Sequence, residues 1–437
     1  MKCSLKLVLP ALALTLAATF LTAFEAAPMP HDQQRSAAEK LFNDGNFKDA
    51  YEGFHKLALD AADEPMVVGR DLKAATDSLE RLGRSGEIDA FREDVIQLHA
   101  ENWRLLQAAA ENYLSVDHYG AIVAGKFERG RHRGGGHIAI AHANDRDRVR
   151  ALQLLVAAFP KLAQEPDRAA VADFYLVLAR ALLDNFGNRD AWRLQTLTDL
   201  AELPDYEQGW YYGRAAAGAP VAPDGSPIYY AAPKTFEAAT NDGERWRWAL
   251  VQAVEASAAK LNEARFQRAV FLQSQFGEQT MAEYGGWFSR AADDEADENS
   301  SGTFALHTLD DGETIAKLAT GVKRFELPDE HNYIKLFRQI ADQPQTGDGE
   351  QALDALAQIF ENRRQYDKAA DTWRRAIKQF GPGQNDFRPQ RLDQIVKAWG
   401  RFDNLQVQPA GKGAQVDFRF RNASKVHFEA HAIHVDK

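Results

Sequence analysis

Leu353–Gly383, LDALAQIFENRRQYDKAADTWRRAIKQFGPG, is the stretch that decides the fold. Leu353, Leu356, Ala357 and Phe360, then Tyr366, Ala369, Trp373 and Ala376, recur at the spacing of two apolar helix faces. Pro382 follows as a stop, since its ring cannot continue a helix. Small residues let two helices approach and aromatics fill the space between them, the pattern of a tetratricopeptide-type pair. A second, shorter copy lies near the other end. Residues 36 to 60, SAAEKLFNDGNFKDAYEGFHKLALD, set Ala38, Leu41, Phe47, Ala50, Phe54 and Leu57 on two faces around a Gly-Asn turn.

Three more segments between these copies carry helical periodicity: 145 to 162 with Pro160 at its end, 172 to 185, and 244 to 276. Asn241 with Glu244 three residues on reads as the cap that opens the last of these. Helical pairs separated by irregular units predict a mainly α chain, an irregular α-solenoid rather than a bundle. Two β-hairpin insertions are expected in it. YGAIVAGKF and HIAIAH would flank RGRHRGGG near 119–142, and a Pro223-Asp224-Gly225 turn would join extended arms near 215–233. A C-terminal β-hairpin follows, with Val416, Phe418 and Phe420, then Val426, Phe428 and Ala430, alternating against polar neighbours.

The organisation expected is therefore a signal peptide or anchor over 1–27 and a helical, repeat-like region over 32–290. An acidic loop over 291–304 separates it from a second helical region over 305–400, which holds the pair at 351–382. A β segment over 402–437 either packs on the helices or is the front of something longer. Lys2 and Lys6 ahead of an apolar run from Leu7 to Phe24 give the N-terminus the charge and core of an export signal, so the chain is expected in the periplasm, envelope or outside the cell. Membrane contact would come only through that segment, if it is kept.

The net charge of -11 argues against nucleic-acid binding, which needs clustered cations to release counterions from phosphate. Cys3, ahead of the apolar run, is the one cysteine. A chain cut after the signal has no thiol for disulfides, cysteine nucleophiles or thiolate metal sites.

Arg129–His137, RGRHRGGGH, concentrates charge, glycine and histidine. His137 and His142 are an odd number of residues apart and face opposite sides of a strand, so they share no metal, and the stretch reads as a loop with Arg131 and Arg133 open to an anionic partner. His427 and His431, four apart on a strand, would lie about 13 Å apart. Asp297, Asn299 and Ser301 begin a calcium-loop pattern that lacks its final glutamate, Thr308 standing there. Ser257 and Lys260 have the serine-lysine spacing of penicillin-recognising enzymes but without partner motifs and in mid-helix. No catalytic, cofactor or metal site is thus expected.

Tyr206, Trp210, Tyr211, Tyr212, Tyr229, Tyr230, Trp246 and Trp248 form an aromatic-dense segment that packs or offers a ligand platform, with Trp210, Tyr211, Tyr229 and Tyr230 as its candidate contacts. On that reading Asp205, Asp224 and Asp242 would be the nearby carboxylates of a glycan-binding protein.

Several longer phrases, YGAIVAGKFERGRHRGGG, RDRVRALQLLVAAFP, DAWRLQTLTDLAELPDYEQGWYY, NDGERWRWAL, QIVKAWGRFDNLQ and FRFRNASKVHFEA, together resemble the N-terminal helical region of very large exported bacterial proteins of the alpha-macroglobulin type. The resemblance spans about 35 to 437. It implies β-sandwich macroglobulin domains downstream and a protein or peptide partner for the helical region. It also implies protease trapping by a thioester formed in a Cys-Gly-Glu-Gln stretch. Here Phe276-Gly277-Glu278-Gln279 has phenylalanine in the place of the thiol, so none of that chemistry transfers. The expected function is a non-catalytic scaffold, with a stand-alone tetratricopeptide adaptor and a glycan-binding protein as alternatives.

Overall fold

The structure, a computed structural model, describes residues 29–131, 139–183, 195–209, 218–278, 305–343, 347–402, 411, 413, 415–429 and 431. The signal or anchor over 1–27, the acidic loop at 291–304, His137, Trp210, Tyr211, Tyr212 and Arg133 lie outside these residues.

The chain is mainly helical, with a few small antiparallel sheets. Among the described residues the helices are, in chain order, α1 (His31–Asn43), α2 (Phe47–Ala58), α3 (Val68–Arg81), α4 (Ile88–Leu98), α5 (Trp103–Ser115), α6 (Asn144–Leu162), α7 (Arg168–Leu183), α8 (Asp242–Ala256) and α9 (Leu261–Phe276). They continue with α10 (Tyr333–Ala341), α11 (Gly347–Asn362), α12 (Tyr366–Phe380) and α13 (Phe387–Val396). Each helix packs chiefly on a near neighbour in sequence: α1 on α2, α2 on α3, α3 on α5, α5 on α6, α7 on α8, α9 on α10, and α10 through α13 in turn. One apolar core runs through them from Ala38 to Ala376.

The α1–α2 pair shows why this sequence folds as it does. Gly45 takes φ +83° at the turn, where a side chain would be strained, and the Asn46 N–H returns to the Leu41 carbonyl to satisfy the end of α1. Ala38, Ala50, Phe54 and Leu57 are buried. Gly53 is a matter of space: a Cβ there would stand 2.9 Å from the Ala38 Cβ, so the two backbones meet because both residues are small. In the α11–α12 pair Leu353, Leu356, Ala357, Phe360, Ala369, Trp373 and Ala376 are buried, whereas Tyr366 at the start of α12 is exposed. Polar caps open three other helices. Asn102, Asn241 and Asn332 each accept a backbone N–H from the first turn, and Glu244 accepts the N–H of Thr240, one residue ahead of the Asn241 cap.

Several boundaries differ from the sequence reading. The helix over 244–276 is two helices, because Ser257 is extended (φ -148°, ψ 112°) and a short 3-10 turn at 258–260 restarts the chain. α6 ends at Leu162, the expected limit, with Pro160 inside its last turn. Near 119–142 the tight turn is Ala124-Gly125, both at positive φ, joining β1 (Tyr119–Val123) to β2 (Lys126–Arg129). β1 pairs on its other edge with β3 (Ala139–His142), and β4 (Glu207–Gln208) adds to β3, giving the order β2-β1-β3-β4.

The region over 305–400 is not wholly helical. β5 (Glu313–Leu318) and β6 (Gly321–Glu326) pair antiparallel within it, and Ala219, ahead of the Pro223-Asp224-Gly225 turn, bridges to Leu318. At the C-terminus β8 (Phe418–Arg421) pairs with β7 (Trp399–Phe402), not with the run from Val426, which is irregular. Phe428 instead lays its ring against Phe402 and Phe418.

Candidate functional site

An open cleft of about 630 Å³ lies where α4 ends and α5 begins. Pro65 and Met66 come from the connection before α3, Gln97, Leu98 and His99 from the end of α4, Trp103 and Arg104 from the start of α5, and Glu165 from the turn after α6. Short polar bonds fix these pieces to one another. The Asn102 amide donates to the Pro65 carbonyl at 2.8 Å, the His99 ring contacts the Ala58 carbonyl at 3.1 Å, and the Trp103 indole donates to Glu165 at 2.9 Å. The Asp167 N–H first, then the Trp103 indole, hold the Glu165 carboxyl below its ordinary range.

Against this fixed frame two large apolar side chains stand in solvent: Met66 is 59% and Leu98 42% exposed. Arg104 stacks over Trp103 at 4.2 Å, and Glu101 pairs with Lys161 at 2.8 Å on the rim. A floor of methionine, leucine and tryptophan with charges at its edge suits an apolar side chain carried on an extended segment. No residue here was singled out from the sequence. Its pieces come from three separate connections, and only the exposure of Met66 and Leu98 marks them.

The second cleft, about 520 Å³, is lined by Asp145, Asp199, Glu202 and Asp205 with Arg148, Thr196 and Thr198. Of the three carboxylates grouped with the aromatic segment, only Asp205 opens here. Asp224 caps its own turn by accepting from Ser226, and Asp242 is buried and ion-paired with Arg148 and Arg245. The structure does not gather the three at one place.

The aromatic segment is largely packing. Trp246 is fully buried and stacks on Phe271 at 4.3 Å, while Trp248 meets Phe159, Tyr175 and Phe236. Tyr206 stacks on Phe127 at 4.3 Å. Tyr229 and Tyr230 are half-buried beside α8 and α9, Tyr229 with its ring 4.8 Å from that of His331 and its hydroxyl pushed up to about 12 by burial. Arg131 is exposed, two residues past the end of β2.

Arg129, two residues earlier in the basic run, is buried. It forms a two-pronged pair with Asp147 of α6 at 2.7 and 2.9 Å, reaches Asp89 of α4 at 2.9 Å and donates to the Asp117 carbonyl at 2.7 Å. Burial works against the Asp147 charge, but hydrogen bonds from His118 and Arg129 outweigh it and hold that carboxyl below its usual range.

Other motif residues are likewise occupied. Ser257 lies at the helix break, not in mid-helix, and Lys260 pairs with Asp173 at 2.6 Å and Glu263 at 3.1 Å. Glu278 of the Phe-Gly-Glu-Gln stretch is buried against Arg363 and Tyr333. His427 and His431 do not stand about 13 Å apart on a strand: both reach Glu429, at 3.7 and 3.4 Å. No cluster of metal-binding type occurs among the described residues, and none of their helices is long and apolar enough to cross a membrane. No family model, curated protein or solved structure matches the chain.

Proposed function

We propose that this chain is a non-catalytic helical-repeat scaffold that docks a protein or peptide partner, within an exported alpha-macroglobulin-like envelope protein whose trapping chemistry lies elsewhere. The cleft at Met66 and Leu98 carries the reading: exposed apolar side chains held on a hydrogen-bonded frame form a ready place for an extended segment. Packing of each helix on its sequence neighbours supports the irregular solenoid, in which tetratricopeptide-like pairs present a continuous surface. The strand pairs at 119–142 and at the C-terminus fit as an insertion and as the start of a β-sandwich. The macroglobulin part rests on the long sequence phrases alone.

Two measurements test this. An immunoblot of envelope and secreted fractions should show a native product far larger than 48.7 kDa; a band at or just below that size would leave a stand-alone adaptor in its place. A photoreactive amino acid at Leu98 should capture a discrete protein partner in the envelope, and labelling no different from that at exposed Lys48 would remove the cleft as the docking site.

A further inference from the structure

Eight arginines are buried among the described residues: Arg35, Arg92, Arg129, Arg148, Arg245, Arg247, Arg363 and Arg388. Seven of them pair with a carboxylate within 3.2 Å. Arg247 does not. It donates to the Gly243 carbonyl of its own helix, and otherwise meets the rings of Phe271, Trp246 and Tyr230 at 5.4 to 5.7 Å. Guanidinium stays charged at neutral pH, so a buried one without a counter-charge is costly, and aromatic faces recover only part of that cost. Burial first, and then the charge of Arg268, pull Arg247 down to about 10, still a cation at neutral pH.

A second arginine and a histidine share this place. Arg268 of α9 also lacks a carboxylate partner. It gives one N–H to the Glu330 carbonyl at 2.8 Å and leaves its buried Nε–H unused. His331 is 5% exposed, and its Nδ1 has no hydrogen-bond partner while Nε2 faces the Tyr230 carbonyl at 3.4 Å. The nearest carboxylates do not close the gap. Glu330 projects into solvent 3.9 Å from Nδ1, and Glu244 is committed to Thr240. Two guanidinium groups and an imidazole with unused donors, behind half-buried tyrosines, make a place for negative charge that the chain itself does not fill.

We propose that Arg247, Arg268 and His331 bind a small tetrahedral oxyanion of the phosphate or sulfate class. The burial of Arg247, 6% exposed, favours a small free ion over a bulky ester. The site is independent of the peptide cleft, which lies among other helices.

Thermal unfolding of the full chain with inorganic phosphate or sulfate, exchanged against chloride at constant ionic strength, tests this. The midpoint should rise with the logarithm of oxyanion concentration. Arg268→Gln, at a half-buried position, should fold and weaken apparent binding about ten-fold or more. His331→Asn should weaken it as well, and in the parent protein oxyanion should raise the apparent pKa of His331 in carbon-13 histidine spectra. A midpoint that ignores oxyanion, or one that rises equally in the parent and Arg268→Gln, would overturn the proposal.

Discussion

Replacing Arg129 by Met isolates what the basic run does. Both side chains of the Arg129–Asp147 pair are nearly shut off from water, at 2% and 3% exposure. Methionine keeps most of the apolar stem but strands the Asp147 carboxylate with His118 as its remaining partner at 2.8 Å. Breaking a buried pair on one side costs about 3 to 5 kcal/mol. His118 still hydrogen-bonds the stranded carboxylate and Asp89 is one-third exposed, so the low end applies: about 3 kcal/mol, or roughly a hundred-fold in the unfolding equilibrium.

The assay is urea unfolding followed by circular dichroism, with hydrogen exchange over 119–129 to localise the loss. Arg129→Met combined with Asp147→Asn should recover about half of it, because the orphaned charge goes too. If Arg129→Met stays within about 1 kcal/mol of the parent, or the two changes simply add, the buried pair is not what fastens the β1–β2 strands to α4 and α6.

Three further outcomes are expected. Gly53→Leu should push α2 off α1, since even a Cβ meets Ala38 at 2.9 Å; a loss of about 1 to 3 kcal/mol by urea titration is expected, and a neutral result would contradict the close approach. Met66→Glu with Leu98→Glu should leave stability within about 0.5 kcal/mol of the parent while abolishing partner capture, because both side chains are exposed. The folded-state pKa of Asp147 is depressed, so its contribution is present above its unfolded value near 3.9 and lost as pH falls through the lower folded value. Stability of Asp147→Asn should therefore fall less steeply than the parent's below about pH 4, and matching slopes in acid titrations would speak against it.

The helical pairs were legible because buried positions repeat with the period of the helix, as Leu353, Phe360 and Trp373 do. β5 escaped the same reading. Its Thr314, Ile315 and Ala316 are buried in succession, so no alternation marks a strand. The break at Ser257 carries neither proline nor glycine, and nothing local separates it from a continuous helix. The partner of β8 was misread because alternation identifies a strand but not what it pairs with, and Trp399–Phe402 lies well upstream.

The sites were harder still. Three short connections build the Met66–Leu98 cleft, and no spacing rule joins residues 66, 98 and 165. The basic run was visible as charge, yet whether Arg129 or Arg131 faces water depends on Asp89 and Asp147, 40 and 18 residues away. Arg247 lies in the helix between Trp246 and Trp248, and nothing in that spacing shows that its guanidinium is buried without a carboxylate.

The buried arginines also set the phase of neighbouring helices. Small residues at a helix contact, such as Ala352, Ala357, Ala369 and Ala376, make smooth surfaces on which several registers bury similar area. Arg388 at the head of α13 removes that freedom. Its guanidinium meets Asp354 twice and Glu350 once, both on α11, and also the Gly381 carbonyl. A slide of one turn, about 5.4 Å, would leave the apolar contact much as before but carry the cation off all of these acceptors at once. Such arginines work like index marks on a stacked assembly: they add little to how strongly adjacent layers adhere, and they determine which single alignment the layers adopt.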